Sequence, residues 1–372
     1  MAPLFRLKKG AVKTSVLFLP QARFLVVTDL SFRYDPIFNH GITMFRTFLK
    51  LSCLLAIATD VFGAIRGAYH NRFAVEGDYV LLRRTRFDNK RLVSTAEKLL
   101  DSTQSHQPAI QSKDLIDDIG FDSGFSLALK IFQDVDATWE GCYLGGLSWQ
   151  GKKTRTDPEN LNLDGTIGHE TRDYERASRV AALYDSDIES WQLNFWRHIT
   201  PRYTDHFSVS SVVGFRMFEI DEKIKLYFHK ADRTSHYRVE TKNRSFGLQL
   251  GGDIEYNPYY FLTWGCVVKV GGMFNRDQQK TAIYDDDDTV KIDDSVRSGS
   301  HFSYMAEVYP SIELRPTKHF FFTVDYRLIY VGAVATAEQN VILDRSLDSE
   351  PILNRDGHVI YHGLTAGIRF NF

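Results

Sequence analysis

From Phe73 onward the chain repeatedly alternates apolar and polar residues with a period of two, the signature of strands that have one apolar face. His358 to Phe372 shows it most fully. Ile360, His362, Leu364, Ala366, Ile368, Phe370 and Phe372 share one face, and Tyr361, Gly363, Thr365, Gly367, Arg369 and Asn371 share the other. The run exceeds the roughly 9 to 11 residues with which a tilted strand crosses a bilayer. The same alternation recurs in Phe73–Arg83, Phe121–Phe132, Trp139–Gln150, Ile188–His198, Phe207–Phe218, Ser245–Tyr256, Leu262–Asn275, Phe302–Leu314 and Phe320–Ala335. A soluble sandwich alternates too, so a second signal has to decide what lies outside the apolar face.

The connections supply it. Turns of a few residues, at Gln133–Asp136, Asn257–Pro258 and Arg315–Lys318, take turns with long polar intervals. Those intervals are Thr85–Asp117, Gly151–Asp187, Ala231–Lys242, Arg276–Ser300 and Glu338–Gly357. The first carries a short helical pattern around Leu92–Leu100, and Gly151–Asp187 is too polar to be expected to bury a core. Short turns at one end and long loops at the other are the asymmetry of outer-membrane barrels. The expectation is an all-β chain: a transmembrane antiparallel up-and-down β-barrel of about ten strands, within a range of 8–12, in the bacterial outer membrane. Its short turns face the periplasm and its long loops the exterior. Phe370 and Phe372 are expected to form a C-terminal signal for the barrel-assembly machinery.

Composition sharpens this picture. Aromatic residues make up 13% of the chain, which suits strands and interfacial girdles. The mean hydropathy of -0.27 does not oppose a barrel, in which every second residue faces lipid. At the front, Arg46 and Lys50 precede the apolar run Leu51–Ala58, and small residues follow up to Gly63. That order predicts a signal peptide over 44–63. Residues 1–43 are then expected to be a disordered upstream over-extension of the reading frame, 64–72 a periplasmic leader, and 73–372 the barrel. Lys+Arg 45 against Asp+Glu 47 leaves no basic footprint for nucleic acid. Cys142 and Cys266 fall on strands too far apart for a disulfide, no Cys/His cluster has metal-ligand spacing, and no cofactor is expected. Asp285–Asp288 lacks the spacing of a calcium loop and reads as a solvated acidic stretch.

Val75-Glu-Gly-Asp-Tyr79, Gly214-Phe-Arg-Met-Phe-Glu219, Asn243–Gly251 and the spaced Trp264, Lys269, Gly271 and Asn275 resemble β-barrel porin family 7. The resemblance runs from Phe73 to Phe372, implies a pore-forming outer-membrane barrel, and carries no catalytic residues. Independently of it, alternation puts Lys130, Arg216, Gln249, Asp253, Glu255, Lys269, Glu307, Asp325, Arg327 and Arg369 on inward faces as candidate lumen-lining residues. In a barrel of about ten strands they could line a narrow passage or neutralise one another across it. The first expectation is a small porin for small solutes, without enzymatic activity. The alternatives are a structural or surface-binding barrel acting through its loops and an outer-membrane hydrolase using His301 and Ser303, two apart on one face. Expected partners are outer-membrane lipid, lipopolysaccharide, the assembly machinery and ligands of the loops.

Overall fold

The computed structural model describes residues 73–372 apart from 86–88, 96–106, 117–118, 135, 165–173, 201–205, 231–232, 286–289 and 342–351, together with 15–16 and 26–27. Two compact units are present, Met1–Ala68 and Tyr69–Phe372. The described part of the first is one antiparallel pair, β1 (Ser15–Val16) with β2 (Val26–Val27). The expectations of an upstream extension, a signal peptide and a leader otherwise lie outside the described residues.

The second unit contains β3 (Phe73–Thr85), β4 (Arg91–Thr95), β5 (Pro108–Gln111), a short helix α1 (Lys113–Ile116), β6 (Asp122–Asp134), β7 (Ala137–Leu163) and β8 (Ala177–His198). It continues through β9 (Phe207–His229), β10 (Thr234–Tyr259), β11 (Leu262–Asp285), β12 (Val290–Leu314), β13 (Phe320–Val334) and β14 (Gly357–Asn371). Among the described residues ten strands, β3 and β6 to β14, pair antiparallel in sequence order, and β14 against β3 closes the ring. At that seam the Phe372 N–H donates to the Phe73 carbonyl at 2.8 Å and the two rings stack at 5.1 Å. Within the lipid-facing band each of the ten described strands is paired on both sides, as a wall in hydrocarbon requires. No helix among the described residues is long and apolar enough to cross a membrane.

Polarity reverses along β8, β9 and β10. On β10 the outward side chains Phe246, Leu248, Leu250, Ile254 and Tyr256 are exposed, while Ser245, Gln249, Asp253 and Glu255 are buried inside. Ten strand residues rising roughly 3.3 Å each at the usual tilt make a band about 25 Å tall, the thickness expected of a lipid-facing belt. Beyond Phe246 the pattern inverts. Val239 and Tyr237 point inward and are fully buried, and Arg244, Lys242, Glu240 and Arg238 point outward. β9 does the same, with Val213, Phe215 and Met217 outward in the band and Ile220, Ile224, Leu226 and Phe228 inward beyond it. On β8, Leu193 and Phe195 face out, and further along Ile188, Tyr184, Ala182 and Val180 face in.

This inversion corrects several boundaries. Gly151–Leu163, Ala177–Asp187, Thr234–Lys242, Arg276–Asp285 and Val290–Ser300 are strand, not loop, and the connections there shrink to 164–176, 230–233 and 286–289. The long polar intervals are barrel wall standing in water. Gly151–Asp187 also contributes fully buried Leu161, Tyr174, Val180 and Tyr184 to the core, so the expectation that it buries none is overturned. Leu92–Thr95, expected in a helical pattern, belongs to β4, which pairs with the far end of β7 through Val93 and Leu163. The turn expected at Asn257–Pro258 falls at Tyr260–Phe261, because β10 continues past a register shift between Tyr256 and Tyr259. On β7, Gly146 takes a φ of 77° in a bulge between Leu144 and Leu147, a backbone region open to glycine. The extra residue turns Leu147 and Trp149 inward, where the polarity changes over.

Leu250→Arg should lower folding stability in lipid vesicles by roughly 2 to 4 kcal/mol, because it sets a cation at mid-bilayer, whereas Gln278→Arg, outward but beyond the band, should cost about 0 to 1 kcal/mol. Urea titration of both variants in vesicles checks it, and equal costs would refute the placement of the band.

Candidate functional site

The lumen has two storeys. In the half nearer the short turns, inward residues of successive strands are charged or amide-bearing, and all ten sequence-predicted residues stand there or at its upper boundary, on the inner face. Lys130 Nζ lies 2.7 Å from Glu76 Oε2 and 3.5 Å from Glu140 Oε2. Glu140 in turn accepts from Asn194 Nδ2 at 2.9 Å and the Trp196 indole at 3.1 Å. Gln249 Nε2 donates to Asn194 Oδ1 at 2.5 Å and to Gln192 Oε1 at 3.0 Å, and Lys269 Nζ donates to the same Gln192 oxygen at 3.2 Å. Lys269 also sits 5.5 Å from the centroids of the Trp196 and Tyr309 rings. Arg216 pairs with Glu307, and its Nε donates to the Ser190 hydroxyl oxygen at 3.0 Å. Arg327 Nε stands 3.7 Å from both Glu307 and Asp325. Arg369 reaches Glu313 at 2.6 Å and Glu76 at 3.9 Å over the face of Phe321. Asp253 and Glu255 are nearly buried, and Glu255 accepts from Ser208 at 2.8 Å.

These contacts join most strands of the ring across the lumen. What they leave open is a cavity of about 140 Å³ bordered by Asp78, Lys130, Glu140, Asp253, Lys269 and Asp325, room for a handful of waters. Glu76, Glu140, Asn194, Tyr309 and Glu313 belong to this lattice and were not among the sequence candidates. Strand alternation marks each of them as inward, yet it gives no measure of which inward residues meet across the barrel.

The half nearer the long connections is solid. Val80, Leu82, Trp149, Tyr184, Phe218, Ile224, Leu226, Phe228, Val239, Ile329, Val331 and Tyr361 form one cluster with at most 1% exposure. Glu222 is the charged knot within it. Its carboxylate receives Arg84 Nε at 3.0 Å, the Tyr184 hydroxyl at 2.8 Å and the Ala337 N–H at 2.8 Å. Ala337 belongs to the β13–β14 connection, whose first part folds into the barrel. Ala333 takes a left-handed φ of 55° where the chain leaves β13, and Ala335, Ala337 and Val341 are then completely buried. Asn243 clasps Ala335 from both sides, donating to its carbonyl at 2.7 Å and accepting from its N–H at 2.9 Å. Gln279 donates to the Asn340 carbonyl at 3.2 Å.

His301 and Ser303 do share a face, and it is the inner one. Ser303 is fully buried, and His301 Nε2 donates to the Ala333 carbonyl at 2.7 Å. Its Nδ1 lies 3.5 Å from Asp277, which also binds Arg355 at 2.7 Å. That set fastens the inserted connection and offers no open nucleophile. Among the described residues no group of three or more His, Cys, Asp or Glu is placed to hold a metal ion, and Asp286–Asp288 lie outside those residues. Cys142 and Cys266 are free thiols.

A closed, even-stranded antiparallel meander with an apolar outward band and a polar inner face is decided by these observations. The chain is a β-barrel of the bacterial outer-membrane kind. Solved structures similar to this barrel include the outer-membrane protease OmpT from Escherichia coli, at 9% identity and a TM-score of 0.43, covering 82% of this chain and 99% of that one. The outer-membrane protein OprG from Pseudomonas aeruginosa is similar at 10% identity and a TM-score of 0.30, covering 82% and 98%. The attachment invasion locus protein Ail of Yersinia pestis is similar at 8% identity and a TM-score of 0.24, covering 81% and 100%. Likenesses this distant leave the functional reading to the barrel itself. No family model and no curated protein matches the chain, so the likeness to β-barrel porin family 7 stays a resemblance.

Glu307→Leu leaves Arg216 buried without its carboxylate and should destabilise the folded barrel by roughly 3 to 5 kcal/mol, with the double variant Arg216→Met/Glu307→Leu recovering most of that loss. Denaturant unfolding of the three proteins in detergent or vesicles checks it. A double variant as unstable as the single one would show that the pair does not act as a unit.

Proposed function

We propose that this protein is a sealed outer-membrane barrel that works through its loop end as a structural or surface-binding platform, and is not a freely open diffusion pore. The observation that carries the reading is the solid core across the loop half of the lumen, where inward side chains and the inserted Ala335–Val341 segment exclude solvent. A hydrated passage needs continuous polar space, and ten strands enclose little of it even when their side chains are small. In this reading Lys130, Arg216, Gln249, Lys269, Glu307, Arg327 and Arg369 brace the wall from inside. The extended strands then hold the connections clear of the membrane on a rigid scaffold, the usual arrangement for recognition by loops. Phe370 and Phe372 project outward at the turn end, where the assembly machinery would read them.

A specific observation favours the small-solute channel as a second reading. The turn half holds a polar chamber, and the segment above it is held by a few hydrogen bonds to Asn243, Glu222 and Gln279, so its withdrawal would lengthen the polar space. Planar-bilayer recording separates the two readings. The wild-type barrel should show no discrete conductance steps, and excision of Ala335–Val341 should leave it silent because the core side chains of the wall still meet. Steps in the excised variant alone would favour the gated channel, and steps in the wild type at low voltage would reject the sealed platform.

A further inference from the structure

Immediately beyond the lipid-facing band, the outer wall of β10 and β11 carries a cluster of basic side chains, Arg244, Arg276, Lys242 and Lys280. Phe246 and Phe274 pair across the two strands at 5.4 Å between ring centroids and mark the upper edge of the band. The next outward pair is Arg244 opposite Arg276, then Lys242 opposite Gln278, then Glu240 opposite Lys280. One outward step along a strand is two residues, about 6 to 7 Å, so the two arginines stand at the level of the lipid headgroups.

Like charges directly opposite on neighbouring strands are destabilising. Arg244 lies opposite Glu219 of β9 at 3.7 Å, and its own side chain is 64% exposed. Arg276 is exposed and faces Ser300 on its other flank. Further up, Glu240 is already committed to Lys223 and Arg238. Partial burial pushes its carboxyl up, but those two cations together hold it below the ordinary carboxylate range, so it stays ionised. Lys242 leans toward Asp221 at 3.7 Å with half its side chain exposed. At the same height the β8–β9 wall is acidic, with Glu189 opposite Glu219 and Asp187 opposite Asp221. Across the β9–β10 seam Arg244 and Lys242 therefore stand opposite Glu219 and Asp221, whereas Arg276 of β11 stands between Arg244 and Ser300 with no carboxylate directly opposite it on either side. An anion set between two guanidiniums turns their repulsion into two charge-assisted forks, and the geometry of a phosphate suits both.

We propose that Arg244 and Arg276, with Lys242 and Lys280 behind them, bind a phosphate group of an outer-leaflet glycolipid, as the phosphorylated lipid portion of lipopolysaccharide presents it. The acyl chains of that lipid lie along Phe246, Leu248, Val270 and Phe274, whose outward side chains are exposed below the patch. Height fixes the source of the phosphate: a free ion has no reason to prefer a site whose floor is a pair of phenylalanine rings in hydrocarbon. The site is independent of whether the lumen conducts, because it stands on the outside of the wall.

Native mass spectrometry of the folded barrel in detergent, titrated with diphosphorylated lipid A or with the same lipid dephosphorylated, tests the proposal. The phosphorylated lipid should bind the wild type more tightly, and Arg244→Gln/Arg276→Gln should weaken it by roughly tenfold or more, as loss of hydrogen bonds to a charged group predicts. Lys318→Gln, at the turn end, should leave binding unchanged. Equal binding of the two lipids, retention of binding by the double variant, an equal loss in Lys318→Gln, or competition by inorganic phosphate at comparable concentration would each overturn the proposal. Heat-modifiable gel mobility reports folding; should the arginine variant misfold, Lys242→Gln/Lys280→Gln takes its place, with a smaller loss expected and full retention of binding overturning the site.

Discussion

Every long strand of this barrel crosses a boundary where the medium outside the wall changes from hydrocarbon to water. A side chain facing outward must be apolar on one side of that boundary and polar on the other. The inner face obeys a different rule, because it must fill the ring. In the band it does so with charges and amides that satisfy one another, and beyond the band largely with aliphatic and aromatic side chains that pack as a soluble core does, joined by polar groups such as Asn243, Gln279 and Glu222 that hold the inserted connection. The reversal on β8, β9 and β10 is the local expression of that single requirement.

Two kinds of cohesion follow. In hydrocarbon, outward packing offers no hydrophobic gain between wall and solvent, so the turn half depends on backbone pairing and on the ion-pair lattice around Lys130, Glu140, Arg216, Glu307 and Arg369. Such a lattice holds only while it is complete, since each member is buried and loses water on folding. In water, the loop half gains from ordinary apolar burial, at roughly 25 cal/mol per Å² of apolar surface. Glu222 stands among those apolar residues because three donors from three different segments converge on it. It fixes where β3, β8, β9 and the inserted connection meet.

In the loop half the inward side chains already meet, and the inserted β13–β14 segment adds a second layer over that core. On the outer surface the apolar side chains of the band give way to charged ones beyond it, and Arg244 and Lys242 of β10 stand opposite Glu219 and Asp221 of β9.

The sequence by itself determined the strands of the band, their faces, the even number, the side of the short turns, and the inward position of residues such as Lys269 and Arg369. Period-two alternation is a local property, and one apolar face is visible to it wherever lipid is the outer solvent. Beyond the band the same period persists with its polarity exchanged, and Thr234–Lys242 or Arg276–Asp285 then looks like a polar loop, because no local feature says which face is inside. The helical pattern read at Leu92 failed for a related reason: five residues of β4 are held by pairing to β7, far along the chain. Closure, the opposition of Arg216 to Glu307 and of Arg84 to Glu222, and the entry of Ala335–Val341 into the lumen were decided only by the tertiary structure. Each joins residues from distant strands across the ring, and strand tilt and register, which a single strand does not encode, set which of them meet.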